Sequence, residues 1–70
     1  MISYKPLLKL LIDRGIKKTE LAQAAGITHA TLARFGTNKF VSLEVIDKVC
    51  AVLDCQPGDI LEFVPDKTAE

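Results

Sequence analysis

The chain has 70 residues, nine basic and nine acidic side chains, and a formal net charge of zero. This length allows one domain. An apolar content of 49% with 26% charged residues is typical of a globular chain and not of a disordered one. No apolar run is long enough for a membrane span, and the first apolar stretch, residues 6–12, is not followed by a secretory cleavage site. We therefore expect a cytoplasmic protein.

The charges are divided unevenly along the chain. Residues 1–40 carry seven basic and two acidic side chains, a net charge of +5, whereas residues 41–70 carry two basic and seven acidic ones, a net charge of −5. A domain with this polarity can present one basic face to phosphates while its opposite end stays acidic. The pattern favours a nucleic-acid partner, and a chance division of charge in a short chain is the alternative.

The side chains that carry catalytic or metal chemistry are few. The chain has two cysteines, Cys50 and Cys55, and one histidine, whereas a zinc site needs four ligands at suitable spacing. We predict that both cysteines remain thiols and serve in packing, with a metal or redox role as the alternative. No nucleophile and base can be paired, and no phosphate-binding loop is present, so we predict neither an enzyme nor a cofactor.

Apolar periodicity predicts two helices in the first part of the chain. The first begins near Ser3 as its N-cap, has Pro6 in its first turn, and ends at Gly15. Its apolar stripe consists of Leu7, Leu8, Leu11 and Ile12. The second helix covers residues 18–25 and ends at Gly26. Lys17 is a poor N-cap for it, and Thr19 is the alternative cap of a slightly later start.

Three further helices are predicted after Gly26. Thr28 caps the third, which runs to about Phe35, and residues 36–39 have turn composition. Ser42 caps the fourth, whose apolar stripe consists of Leu43, Ile46, Val49, Cys50 and Leu53. A last short helix covers residues 58–63, since the only strand signal, at residues 61–64, is too short to found a sheet. We predict an all-α domain of five helices over residues 1–64 and a polar tail over residues 65–70.

Residues 18–35 have the spacing of a helix-turn-helix. The two helices need a small side chain where they approach each other, which Ala22 supplies, and the turn needs a residue that tolerates a positive φ, which Gly26 supplies. The positions that such a motif buries are all apolar: Leu21, Ala25, Ile27, Leu32 and Phe35. This arrangement indicates a DNA-binding helix-turn-helix.

Four segments in and after this motif match a known family: Glu20-Leu21-Ala22, Gly26-Ile27-Thr28, Thr31-Leu32-Ala33-Arg34 and Val41-Ser42-Leu43-Glu44. Through them the chain resembles the Cro/C1-type (lambda-repressor-like, XRE) regulators over residues 4–64, and residues 49–62 are similar to the small single-domain branch. The resemblance implies a five-helix lambda-repressor-like fold. It also implies sequence-specific binding of double-stranded DNA by a bacterial or phage transcriptional regulator, most simply a repressor, with the third helix in the major groove.

The resemblance also implies which residues meet DNA. The candidates for base contacts are His29, Ala30 and Arg34; Arg34 could donate two hydrogen bonds to guanine, and Ala30 could touch a thymine methyl. The candidates for phosphate contacts are Lys17, Lys18, Thr28, Thr31, Thr37, Asn38 and Lys39. The alternatives are a solvated His29, an Arg34 paired with an acidic neighbour, lysines that only aid solubility, and a Thr28 that is only a helix cap.

Members of the resembled family usually bind as two-fold dimers, which compensates for the weak binding of a single module. The candidate surface of a homodimer consists of Ile60, Leu61, Phe63 and Val64, unless these residues simply close the core. A second function stays open, namely a protein-interaction or antitoxin-like module on the same scaffold. The acidic second half, together with Ala30 and Ala33 on the recognition helix, favours that alternative, whereas the basic flanks of the motif favour DNA.

Overall fold

A computed structural model describes residues 1–65. The elements in chain order are β1 (Ile2–Ser3), α1 (Lys5–Arg14), α2 (Lys18–Ala25), α3 (His29–Gly36), α4 (Leu43–Leu53), a 3-10 turn (Pro57–Asp59) and β2 (Glu62–Phe63). The two strands pair antiparallel, with Ile2 opposite Phe63 and Ser3 opposite Glu62. The predicted helical class is confirmed, with four α-helices within residues 1–65. The boundary predicted between domain and tail stays a prediction, and tail residues 66–70 lie outside the described residues.

Four of the predicted helix boundaries coincide with the observed ones. Gly15 and Gly26 end α1 and α2 in the left-handed conformation, with φ of +66° and +69°. Thr28 caps α3, where its hydroxyl oxygen accepts the Thr31 N–H at 3.2 Å. Ser42 caps α4 in the same way, so the turn between the helix-turn-helix and α4 also ends where the sequence predicts.

The starts of α1 and α2 differ from the predicted caps. Ser3 lies in β1, and Tyr4 is the residue before α1; the Ser3 hydroxyl still accepts the Lys5 N–H at 3.3 Å. Helix α2 begins at Lys18, so Thr19 is not its cap. A lysine side chain has no acceptor, and the Glu20 carboxylate instead reaches back to accept the Lys17 N–H at 2.9 Å.

The helix predicted over residues 58–63 is wrong. The chain makes one 3-10 turn after Pro57 and then a strand, because β1 offers it a pairing partner. The ladder continues one residue further, where the Met1 ammonium donates to the Val64 carbonyl and the Val64 N–H donates to the Met1 carbonyl at 2.7 Å. Two-residue strands carry no periodicity, so only the folded chain reveals them.

The core lies between the four helices and is closed by the sheet. Its buried members are Tyr4, Leu7, Leu11, Leu21, Phe35, Ile46, Val49, Leu53 and Ile60. Two residues predicted to join it are exposed instead: Ile12 at 79% and Leu43 at 83% of their surface. Each lies at the edge of the apolar stripe of its helix, where no neighbouring element in the described part of the chain packs against it. No helix within residues 1–65 is long and apolar enough to cross a membrane.

Candidate nucleic-acid interface

The turn between α2 and α3 has the geometry that the motif requires. Gly26 adopts a positive φ, and the following N–H, that of Ile27, donates to the Ala22 carbonyl at 3.0 Å. Ala22 and Ala25 are buried on the inner face of α2, next to the fully buried Leu21. Small side chains here let α3 approach α2 closely, and a residue with a Cβ at Gly26 would be strained in that conformation. The turn therefore fixes the direction in which α3 leaves the motif.

Helix α3 has one buried face and one exposed face. Phe35 is buried against the core, and Leu32 is half-buried. His29, Ala30, Ala33 and Arg34 are all exposed. Ala30 and Arg34 are one helical turn apart and so lie above each other on the outer face. The structure thus places the three predicted base-contacting residues on one exposed surface of the second motif helix.

Arg34 is not paired with a carboxylate among residues 1–65. Its Nη1 donates to the backbone carbonyl of Phe40 at 3.1 Å, so one guanidinium nitrogen holds the chain that follows α3. The Thr37 hydroxyl similarly donates back to the Ala33 carbonyl at 3.2 Å. Arg34 therefore orders the loop and still presents its other N–H groups at an exposed position.

The loop of residues 37–39, three of the predicted phosphate contacts, is held at both sides. Asn38 has a φ of +55°, and its Oδ1 accepts the backbone N–H of Tyr4 at 3.1 Å. The Tyr4 hydroxyl donates to the Lys39 carbonyl at 2.9 Å. Asn38 thus uses its oxygen for a structural bond and keeps its amide N–H groups for other partners. Sequence reasoning missed Tyr4, because no local pattern links it to a loop more than thirty positions away.

The cations that flank the motif have no acidic partner among residues 1–65. Lys17, Lys18 and Lys39 are exposed, and the one ion pair in this part of the chain joins Lys48 to Glu44 at 3.5 Å. Arg14, which the charge count assigned to the basic half, instead donates to the Leu53 carbonyl at the end of α4. Beside the motif, the positive charge available to an anion therefore lies at the start of α2 and in the loop after α3.

Two of the three predicted threonine contacts, Thr28 and Thr31, lie at the first turn of α3. The Thr28 hydroxyl donates to the Thr31 hydroxyl oxygen at 3.1 Å and also accepts the Thr31 N–H. Thr28 is therefore at least a helix cap, as the alternative interpretation holds. Its exposed position at a helix N-terminus leaves room for an anion there as well.

The cysteines lie apart from this surface, at the end of α4. Both are half-buried thiols, and the Cys55 N–H donates to the Cys50 carbonyl at 3.2 Å. Burial, together with the neighbouring Cys50, raises the pKa of Cys55 to about 11. No group of three or more His, Cys, Asp or Glu side chains within residues 1–65 is placed to hold a metal ion.

Comparison with known proteins assigns the motif. The family model of the Cro/C1-type HTH DNA-binding domain matches residues 6–66. The chain belongs to this family. It is 40% identical over 60 residues to the HTH-type transcriptional regulator YozG of Bacillus subtilis (strain 168), over 83% of the chain and 71% of YozG. It also resembles the crystal structure of the transcriptional regulator VanUg, with a TM-score of 0.89 and 48% identity over 93% of the chain and 87% of VanUg.

The resemblance inferred from four short segments is therefore confirmed. This Cro/C1-type protein is a helix-turn-helix DNA-binding transcriptional regulator. Its motif helices are α2 and α3, and the exposed face of α3 with the flanking cations is the candidate surface for DNA.

Proposed function

We propose that this Cro/C1-type regulator recognises a specific operator by placing α3 in the major groove. The observation that carries the proposal is the amphipathic division of α3, with Phe35 buried beneath and His29, Ala30 and Arg34 exposed above. An α-helix fits the major groove, where each base pair presents a distinct pattern of donors and acceptors. Arg34 suits guanine, His29 donates or accepts, and Ala30 suits a thymine methyl.

Phosphate contacts on both sides of α3 hold it in register. At the start of α2, Lys17 and Lys18 stand beside backbone N–H groups that have no helical partner. In the loop after α3, Thr37 and Lys39 are exposed, and Asn38, whose amide N–H groups are not used within the loop, is half-buried. At the first turn of α3, Thr28 and Thr31 add two hydroxyls. Such contacts position the helix and carry no sequence information themselves.

A homodimer is the assembly we propose, and its surface is smaller than the sequence predicts. Ile60 is fully buried and cannot take part, and Leu61 is half-buried against the core. Phe63 exposes 71% of its surface. Because Met1 and Val64 exchange both of their hydrogen bonds, the N–H and C=O of Phe63 point away from β1. Antiparallel pairing of β2 with its copy, with Val64 at the flank, would satisfy these groups around a two-fold axis.

Selection from a randomised duplex library tests operator recognition. We expect the parent protein to enrich an inverted repeat with half-sites about one helical turn apart, and occupancy of such a site favours repression as the outcome. His29→Ala should relax the preference at one position in each half-site by about 0.5–1.5 kcal/mol, the contribution of one neutral hydrogen bond. Arg34→Ala should also relax the preference at one position. It should in addition weaken binding to every sequence, because the loop after α3 loses the hydrogen bond between Arg34 and the Phe40 carbonyl.

The matched control is Lys9→Ala, which removes one charge from α1 at a distance from the motif. Lys9 lines a surface cleft together with Ile12 and Glu62. Neither this cleft nor the neighbouring one that Lys9 also lines includes a residue of α3. We expect it to leave the selected sequence unchanged. An identical motif from parent and His29→Ala would contradict base reading by His29.

A protein-interaction module is the second candidate function, and one observation favours it. Phe40 and Leu43, at the end of the loop after α3 and the start of α4, expose 75% and 83% of their surfaces. Exposed apolar side chains in close sequence proximity are typical of protein contacts. Failure of the parent to enrich any sequence at low salt would favour this function over operator recognition.

A further inference from the structure

Tyr4 connects the short sheet to the loop that follows α3. Its ring is 2% exposed and packs edge-on against Phe35, with 4.9 Å between ring centroids. Its backbone N–H donates to Asn38 Oδ1, and its hydroxyl donates to the Lys39 carbonyl. One residue therefore touches the buried side of α3 and two consecutive residues of the loop.

The other bonds that hold the loop come from α3 itself. The N–H groups of Thr37 and Lys39 both donate to the Arg34 carbonyl, at 3.3 and 3.0 Å, and Arg34 Nη1 donates to Phe40. These bonds tie the loop to the last turn of its own helix. The two bonds from Tyr4 reach it from a residue 34 and 35 positions earlier in the chain. Among the hydrogen bonds within residues 1–65, only these two join the loop to the segment between the sheet and α1.

We propose that Tyr4 is a positioning residue for DNA binding, which holds residues 37–39 where their donors meet the phosphate backbone. The inference rests on the proposed function, because it assumes that this loop contacts phosphates. Tyr4 itself is buried and does not reach DNA. Tyr4 directly follows Ser3, the last residue of β1.

Tyr4→Phe tests the proposal, since it removes the hydroxyl and keeps the ring and the backbone N–H. The first measurement is hydrogen exchange of the Lys39 amide, which we expect to become several-fold faster. The second is affinity for a mixed-sequence duplex of about two helical turns between roughly 50 and 200 mM NaCl. We expect affinity to fall roughly three- to tenfold, the equivalent of one neutral hydrogen bond, with a shallower salt dependence.

Ile60→Val is the matched control for a general loss of stability. Ile60 is fully buried beside the 3-10 turn, and the substitution removes one methylene from the core but none of the hydrogen bonds that hold the loop. Ile60→Val should lower the free energy of unfolding about as much as Tyr4→Phe does. We expect it to leave affinity and salt dependence unchanged once the folded fraction is accounted for.

Three results would overturn the proposal. They are unchanged Lys39 exchange in Tyr4→Phe, faster exchange with unchanged DNA affinity, and an equal loss of affinity in Ile60→Val. Failure of the parent protein to bind duplex DNA at low salt is a different result. It would contradict the proposed function, while the exchange measurement would still decide whether Tyr4 holds the loop.

Discussion

Single residues in this small domain combine tasks that sequence patterns treat separately. Arg34 is a candidate for reading bases and also holds the Phe40 carbonyl. Asn38 is a candidate phosphate contact, adopts a left-handed conformation and accepts the Tyr4 N–H. Substitution of either residue therefore changes loop structure together with any DNA contact. His29, which makes no side-chain hydrogen bond within residues 1–65, is the cleaner probe of base recognition.

Cys55 provides a prediction at the residue scale. Its pKa is raised to about 11 from an ordinary value of 9.0, so at pH 8 its thiolate fraction is roughly a hundredfold below that of a free cysteine. Alkylation by iodoacetamide at pH 8, followed by mass spectrometry of the peptide, should be correspondingly slow in the folded chain. Equal rates in folded and urea-unfolded protein would contradict the prediction.

The same shift sets the sign of a pH effect on stability. The folded state disfavours the Cys55 thiolate, so the contribution of this thiol to folding is complete below the unfolded pKa near 9. It should be lost as the pH rises from about 9 to about 11. Urea midpoints of the parent should therefore fall more steeply in this range than those of Cys55→Ser.

At the scale of elements, α1 and α2 end in the same way, whereas the helices begin with different kinds of cap. Glycines in the left-handed conformation end α1 and α2, and hydroxyl caps begin α3 and α4. The first turn of α2 relies instead on Glu20 bonding back to the Lys17 N–H. The helix that is proposed to enter the groove thus begins with the more usual side-chain cap.

Thr28→Ala tests the importance of that cap. Loss of the bond to the Thr31 N–H should lower the free energy of unfolding by about 0.5–2 kcal/mol. Thr19→Ala is the matched control, because Thr19 is exposed inside α2 and makes no side-chain hydrogen bond within residues 1–65. It should be neutral or slightly stabilising, since alanine is the better helix former. Equal denaturant midpoints for the two variants would show that the cap contributes little.

At the scale of the whole molecule, the separation of charge along the chain becomes only partly a separation in space. Lys17, Lys18, Arg34 and Lys39 flank or belong to the motif, but Arg14 binds the end of α4 and Lys9 lies near the sheet. The binding surface is therefore less basic than the first forty residues are. We expect a single copy with such a surface to bind DNA weakly, which favours the proposed two-fold assembly.

Phe63→Asp tests the assembly. If β2 pairs with its copy, sedimentation of the parent should show a dimer at high micromolar concentration, and the variant should sediment as a monomer because a carboxylate at this edge would be buried unpaired. Leu43→Asp places the same change on an equally exposed apolar residue at the start of α4 and should leave the dimer intact. A monomeric parent would contradict the homodimer, though not DNA binding.

The sequence by itself determines the helix-turn-helix. Ala22, Gly26 and the Thr28 cap act through local backbone geometry, and the apolar periodicity of α2 and α3 fixes which faces turn inward, so the motif and its exposed residues could be predicted. Periodicity wrongly predicted that Ile12 and Leu43 are buried. It identifies the apolar face of a helix, but it does not show how much of that face the neighbouring elements cover.

The tertiary structure decides what depends on distant partners. Whether residues 62–63 form a strand depends on β1 at the other end of the chain, and the burial of Ile60 depends on the turn that precedes it. The two bonds from Tyr4 that fix the loop after α3 likewise join segments with no shared local pattern. Periodicity and capping act within a few residues, whereas these features arise only when the ends of the chain meet across the core.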